Sequence, residues 1–374
     1  MPQIIRPGQV GAESSLVERV TGVVLLGLLS FSLVRLLLIW SETVQFPYPI
    51  NYGEGPLLLS AALLAEGQNI YPNSFGGYPY VVTEHPPVVV SFLATGISLF
   101  GVNYLFGRLV AIVATIASAV SIYAILAGLH HTHTAAITSS LLFLVSPFVL
   151  AWSNLVRVDM PALAFSLAGL ALLVNRPRRF LELVMSVVLL ALAAYSRQTY
   201  LVAAPFAASC WLLVTDRKRL RLFIGLYLGL VLLPAFVLNW ITSGGFYLNV
   251  ISSNLQAFDV GRLGLVAPRL IVWFAVMIGL ALLELIRLVR LRQPDSTVLI
   301  AYLLGSLASL FAFGKEGASV NYFLEWNAAL TLITGAAVAR WTRKPPSRWR
   351  LILPVLLVLQ CLLLGLAAQG PWLE

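Results

Sequence analysis

Ten side chains able to move protons or hold charge recur in short motifs along an otherwise apolar chain of 374 residues. The first is Glu54, in NYGEGPLLLSAALLAEG. Pro56 suits the first turn of a helix, where its missing N–H costs nothing, and the apolar run behind it stops at Gly67. Glu54 then stands at a helix N-terminus, where the dipole favours a carboxylate. A simple capping acid would explain that much. Gly53 and Gly55, however, clear side chains from both flanks, which makes room for a ligand. In TEHPPVVV the double proline fixes an extended entry into a second helix and sets Glu84 and His85 at its start. His85 could contact a phosphate or a metal, or be an ordinary interfacial histidine.

Three more motifs follow. NLVRVDMP puts Arg157 and Asp159 at a helix entrance, either as a structural pair or as site residues. Arg197, in YSRQTY, interrupts an apolar stretch with no acid nearby in sequence. A charge in such a setting points to function, and anion binding is the natural task for a guanidinium. In FGKEGASVNYFLEWN, Lys315 and Glu316 occupy a short turn, Asn321 and Tyr322 follow, and Glu325 lies about one turn into the next helix, where it needs a partner. The HHTH run at 130–133 has no acid or cysteine beside it and reads as a polar turn.

The elements that position these groups are membrane helices. The chain is 59% hydrophobic and 10% charged, against about 25% charged in soluble domains, and its mean hydropathy is +0.90. Apolar runs of membrane-spanning length recur throughout. They predict an all-α polytopic protein of one membrane domain over 1–374. Eleven spans are expected, near 16–40, 104–129, 134–151, 159–175, 181–196, 199–214, 220–241, 268–288, 297–313, 320–339 and 350–368. The first run is too long for a signal-peptide core and lacks a small-residue exit. Cys210 and Cys361 both fall inside apolar segments, which argues against a disulfide or a zinc site.

The run 86–100 is left over, and charge decides its place. If it does not cross, 17 of the 24 basic residues fall in cytoplasmic segments: Arg6, Arg19 and the clusters at 176–179, 217–221, 287–292 and 340–350. If it crossed, every later cluster would move outside, against the positive-inside rule. It is therefore expected to lie on, or dip into, the outer face, as is a helix near 55–66. The same clustering accounts for the net charge of +9 without nucleic acid. The N-terminus is then cytoplasmic. The outer loop 41–103, which holds Glu42, Glu54, Glu66 and Glu84 but no Lys or Arg between Ser41 and Asn103, is long enough to be functional. On this topology Glu54, Glu84 and Asp159 share the outer level with Arg157, Arg197 and Lys315. Acids and cations under an apolar canopy suit an anion with a lipid tail.

GEGPLLLSAALLAEGQNIYP, TEHPPVVVSFLATGISLFG, the following GRL, RVDMPALAF, SRQTYLVAAP and GKEGASVNYFLE, in this order, resemble the GT-C membrane glycosyltransferases. The protein O-mannosyltransferases, the lipid A aminoarabinose transferases and similar bacterial members are the nearest in pattern, over roughly residues 16 to 340. The resemblance implies about eleven to thirteen helices with interfacial helices on the outer face. It also implies a multi-pass protein of the bacterial cell membrane, serving cell-envelope glycosylation with its active site outside. A polyprenyl-phosphate sugar donor, inversion at the anomeric carbon, and a lipid, glycan or protein acceptor follow from it too.

Many relatives carry an Asp–Glu pair in the first-loop motif; here Gly53 precedes Glu54, so the catalytic general base falls on Glu54 alone. Relatives often have Lys or Tyr before the double proline, where this chain has His85. Asp159 matches an outer-loop acid after the third helix, and Arg197 a basic residue after the fifth. The leaving phosphate is then assigned to Arg197 and Lys315, helped by His85 and Arg157. Substrate contacts are assigned to Asp159, Glu84, Asn321, Tyr322 and Glu325. No cofactor is fixed by these motifs; a divalent metal has room among the acids but no recognisable ligand set. The alternative class is a transporter or flippase of a lipid-linked or anionic substrate. It is disfavoured by the concentration of charge on one face and by the lack of a half-to-half repeat.

Overall fold

Backbone groups away from water must find partners within their own segment, and the apolar runs meet that demand as helices. The computed structural model describes residues 7–76, 82–130, 132–175, 179–291, 293–342 and 352–368. His131 of the HHTH run lies outside them, as do Arg6, Arg176, Arg178, Arg292, Arg343, Lys344, Arg348 and Arg350 of the basic clusters. The regular elements among the described residues are all helices, with one isolated bridge, Phe258 to Lys315, outside them.

Five helices are long and apolar enough to cross a membrane: Val20–Thr43, Tyr104–Leu129, Gln198–Thr215, Arg217–Ile241 and Pro294–Gly314. Val260–Trp273 and Ala275–Arg290 meet at an 86° bend and make a sixth if they form one span. The bend is chemically stable because Gln360 serves the freed groups, accepting from Met277 N at 3.0 Å and donating to the Trp273 carbonyl at 2.7 Å. The expected count of eleven exceeds these six. Asp159–Asn175, Phe180–Ser196 and Ile352–Ala367 are 17 residues or shorter, about 25 Å at 1.5 Å per residue. The span expected over 134–151 is divided by Pro147 into His133–Leu144 and Pro147–Trp152. Leu324–Thr342 is buried from Leu324 to Ala339, so protein rather than lipid surrounds it. Its small residues permit close approach: a side chain at Gly335 would strike Ser139 and Leu126.

One end of the bundle is built from loops and two short helices. Glu54–Ala65 ends at Gly67, whose φ of +77° favours glycine. There Gly67 N donates to Leu64 O and Gln68 N to Leu63 O, which satisfies the last carbonyls. Pro87–Phe100 has Pro86 as its N-cap and packs on the first helix through Val89, Val90 and Leu93. At 14 residues it is about 21 Å long, short of a bilayer core of about 30 Å.

A single ion pair ties this end together. Glu54 and Arg108 are both fully buried, with 3.3 Å between Oε2 and Nη2. Glu54 also accepts from Ile50 N at 2.5 Å, Asn51 N at 3.2 Å and Val156 N at 2.8 Å. Arg108 donates onward to the carbonyls of Thr43, Phe46 and Tyr48. The first membrane helix, the first loop, the Tyr104–His130 helix and the 153–158 loop therefore meet at two side chains. Removing one partner of a buried pair leaves the other charge uncompensated, so Glu54→Ala is expected to cost about 3–5 kcal/mol. Thermal unfolding of the detergent-purified protein should show this as a large drop in Tm; an unchanged Tm would contradict the clamp.

Candidate active site

A cavity of about 460 Å³ opens at that end of the bundle. Seven of the ten singled-out residues line it: Glu84, His85, Arg157, Arg197, Lys315, Asn321 and Tyr322. They come from segments far apart in sequence, brought together by helix ends. Arg197 directly follows the Phe180–Ser196 helix in extended backbone, and Arg179 caps the other end of that helix, about 25 Å away. The cavity thus lies at the opposite end from Arg179.

Asp159 stands behind the cations. It is fully buried, ion-paired with Arg197, and accepts from Trp152 Nε1 at 2.9 Å and Asn321 Nδ2 at 3.0 Å. With its oxygens so engaged it fixes Arg197 in place. Arg197 lies over the Tyr322 ring, 4.6 Å from its centroid, an added cation–π attraction. Lys315 donates to Asn254 Oδ1 at 3.1 Å. Its turn is pinned to the 257–259 segment by Asp259 N to Gly314 O and Glu316 N to Ala257 O, both 2.8 Å. Arg157 lies between the Tyr52 and Trp152 rings, 5.7 and 5.8 Å from their centroids. It fills the place of an absent side chain: a Cβ built on Gly53 falls on its guanidinium.

Glu84 is exposed to the cavity while its backbone is held. Its carbonyl accepts from Asn254 Nδ2 at 2.9 Å and Gln198 Nε2 at 3.3 Å. The charges perturb one another. Burial pulls the Arg157 guanidinium below its ordinary value, while the Tyr52 phenol and the Glu84 and Glu54 carboxylates oppose this. Burial raises the Tyr322 phenol, but Arg197 and Lys315 beside it outweigh burial and the net shift is downward. Burial, then Arg157, Arg197 and Lys315, hold the His85 imidazole well below its usual value. Buried polar atoms without a protein partner ring the space: His85 Nδ1, Arg157 Nε, Gln198 Oε1 and Asn321 Oδ1. Such atoms are costly unless something else satisfies them.

Three expected site residues do not line the cavity. Glu54, expected to take a proton from substrate, spends its carboxylate on Arg108 and three backbone N–H groups. Asp159, expected to touch substrate, holds Arg197. Glu325 lies deeper, accepting from Ser309 Oγ at 2.9 Å, with its other oxygen buried and unpartnered. Glu54 and Asp159, enclosed by apolar groups, satisfy their charge on the protein first. Conversely, Gln198 and Asn254 line the cavity and Arg108 is buried on Glu54, and none of the three was singled out. Arg108 left a signal, a lone cation one turn into a long apolar run; Gln198 and Asn254 left none. Among the described residues no three His, Cys, Asp or Glu gather as a metal would require.

Residues 84–241 match the family described as dolichyl-phosphate-mannose-protein mannosyltransferase. The whole helical arrangement is similar to ArnT from Cupriavidus metallidurans bound to undecaprenyl phosphate (17% identity, TM-score 0.64, 86% of this chain and 61% of that one). The fold is that of the GT-C membrane glycosyltransferases. Another GT-C structure, the archaeal oligosaccharyltransferase AglB from Archaeoglobus fulgidus in complex with an inhibitory peptide and a dolichol-phosphate, is similar at 14% identity and TM-score 0.56, over 90% of this chain and 56% of that one. The chain therefore spans less than two thirds of the length of these GT-C relatives. No curated protein matches it in sequence.

The depressed His85 value gives a pH signature. In the unfolded chain His85 takes a proton below about pH 6.5, while in the fold it stays neutral to a lower pH. The unfolded state then binds more protons, so stability falls as pH drops from about 6.5 toward the folded value. Tm measured across this window should fall less steeply in His85→Gln. An identical slope in the two proteins would show that His85 is not neutral in the empty cavity.

Proposed function

We propose that this chain is a glycosyltransferase that moves a sugar from a polyprenyl-phosphate donor to an acceptor hydroxyl at the outer face of the membrane. One observation carries the reading. Arg157, Arg197 and Lys315 converge, with neutral His85, on a cavity at the loop-bearing end of an apolar helical bundle. That is a phosphate seat next to a bilayer. The undecaprenyl phosphate bound to the similar ArnT structure and the dolichol-phosphate bound to AglB suggest the ligand class, and Arg179, at the far end of the helix that leads to Arg197, supports the outer placement.

In the step proposed, the acceptor oxygen attacks the anomeric carbon from the face opposite the phosphate. The bond between that carbon and the phosphate oxygen breaks, its electron pair leaves on the polyprenyl phosphate, and the anomeric carbon inverts. Arg197 and Lys315, with Arg157, stabilise the charge that develops there. The acceptor proton goes to a carboxylate. We place this base on Glu84, which lines the cavity on a held backbone, in preference to Glu54, whose lone pairs are committed. Glu54 then acts by positioning, through Arg108 and Val156.

Native mass spectrometry of the detergent-purified protein, loaded with polyprenyl-phosphate sugars, tests the donor. The lipid should stay with wild type and Glu84→Gln and be lost from Arg197→Ala; failure of every such lipid to bind wild type would overturn the donor class. Turnover should fall by about 10²–10⁴-fold in Glu84→Gln, and near-normal turnover would remove Glu84 as base. Gly53→Ala makes a separate prediction. Its methyl displaces the Arg157 guanidinium, so donor retention should fall about tenfold, as for a lost charged hydrogen bond. Retention equal to wild type would show that Arg157 takes no part in holding the donor.

A further inference from the structure

We infer that the chain has a second ligand site, for the headgroup of an anionic lipid, at Arg35. Arg35 lies in the Val20–Thr43 span, whose mean hydropathy is 2.4. It is eight residues before Thr43, about 12 Å along the helix from its end. A cation at that depth is costly and needs acceptors. Arg108, in the neighbouring Tyr104–Leu129 span, shows what full satisfaction requires: a carboxylate and three carbonyls. Among the described residues Arg35 has one long hydrogen bond, to the Ala368 carbonyl at 3.4 Å, and no ion pair. A guanidinium offers five donors, and the described residues leave most of that capacity unused.

That capacity borders a separate cavity of about 500 Å³. Its walls include Ile39, Ile50, Leu150 and Leu155, all apolar, with Arg35 as the charged group and Asn51 as a polar one. The pairing of one cation with apolar walls in a membrane-spanning segment selects an anion carrying an acyl chain. Tyr52 lines both this cavity and the larger one, so the two adjoin at that side chain. The site depends on the membrane placement of the first helix and not on the donor assignment.

The test uses defined lipids in native mass spectrometry: phosphatidylglycerol, phosphatidylcholine, and inorganic phosphate as competitor. Wild type should retain phosphatidylglycerol over phosphatidylcholine. Arg35→Gln should lower that retention by at least about tenfold, while Arg35→Lys and Arg197→Ala keep it. Arg35→Gln should still bind polyprenyl phosphate, which separates loss of this site from loss of the donor seat or of the fold. Ile39→Trp, which fills the cavity and leaves the charge, should also lose phosphatidylglycerol. Equal retention in wild type and Arg35→Gln, loss only in Arg197→Ala, or full displacement by inorganic phosphate would each overturn the proposal.

Discussion

A charge enclosed by apolar matter has to be answered by the protein, and at the loop end of this bundle the answer to Glu54 and Arg108 dictates the rest. The pair is not isolated. Glu54 gathers three backbone N–H groups and Arg108 three carbonyls. Ser153 and Asn154 are tied to the first helix as well, through Trp40 Nε1 and Thr43 Oγ1, both at 2.8 Å. The 153–158 loop is thereby fixed at three successive points before it reaches Arg157 and Asp159. Breaking a buried pair is far costlier than never having made one, so the clamp holds these segments in register with one another.

Asp159 repeats the logic one layer further in. It gives up its own access to the cavity and aims Arg197, with Asn321 and Trp152 completing its shell. The result is a division of labour: acids committed to the protein lie behind, and cations with spare donors lie in front. In the donor reading proposed above, a phosphate would meet guanidinium and ammonium groups that are already oriented, so little reorganisation would oppose binding. His85, held below its usual value by burial first and by those same cations second, would add a polar contact without adding repulsion among them.

Much of this was legible in the sequence, for identifiable reasons. Helices were readable because apolar length is nearly a sufficient signal in a membrane chain. Arg197 and Lys315 were readable because a cation between apolar runs has few other reasons to be there. The count of spans was less so. Pro147 splits one expected span, and Leu324–Thr342 is enclosed by protein, so hydropathy alone misjudges both. The pairing of Glu54 was hidden because its partner, Arg108, is 54 residues away, and a carboxylate in a glycine-flanked motif looks the same whether its lone pairs are free or committed. Gly53 was read as room for a ligand; the room is taken by Arg157, a long-range contact that no spacing rule contains.

The account turns on where a donor phosphate sits. Cryo-electron microscopy of the protein loaded with a polyprenyl phosphate measures this directly. The account predicts phosphate density within hydrogen-bonding distance of Arg157, Arg197 and Lys315, with the Glu54–Arg108 pair unbroken beneath it and Glu84 on the side of the phosphate to which the sugar would be attached. Density that instead displaces Arg108 and contacts Glu54, or that lies outside this cavity altogether, would contradict it.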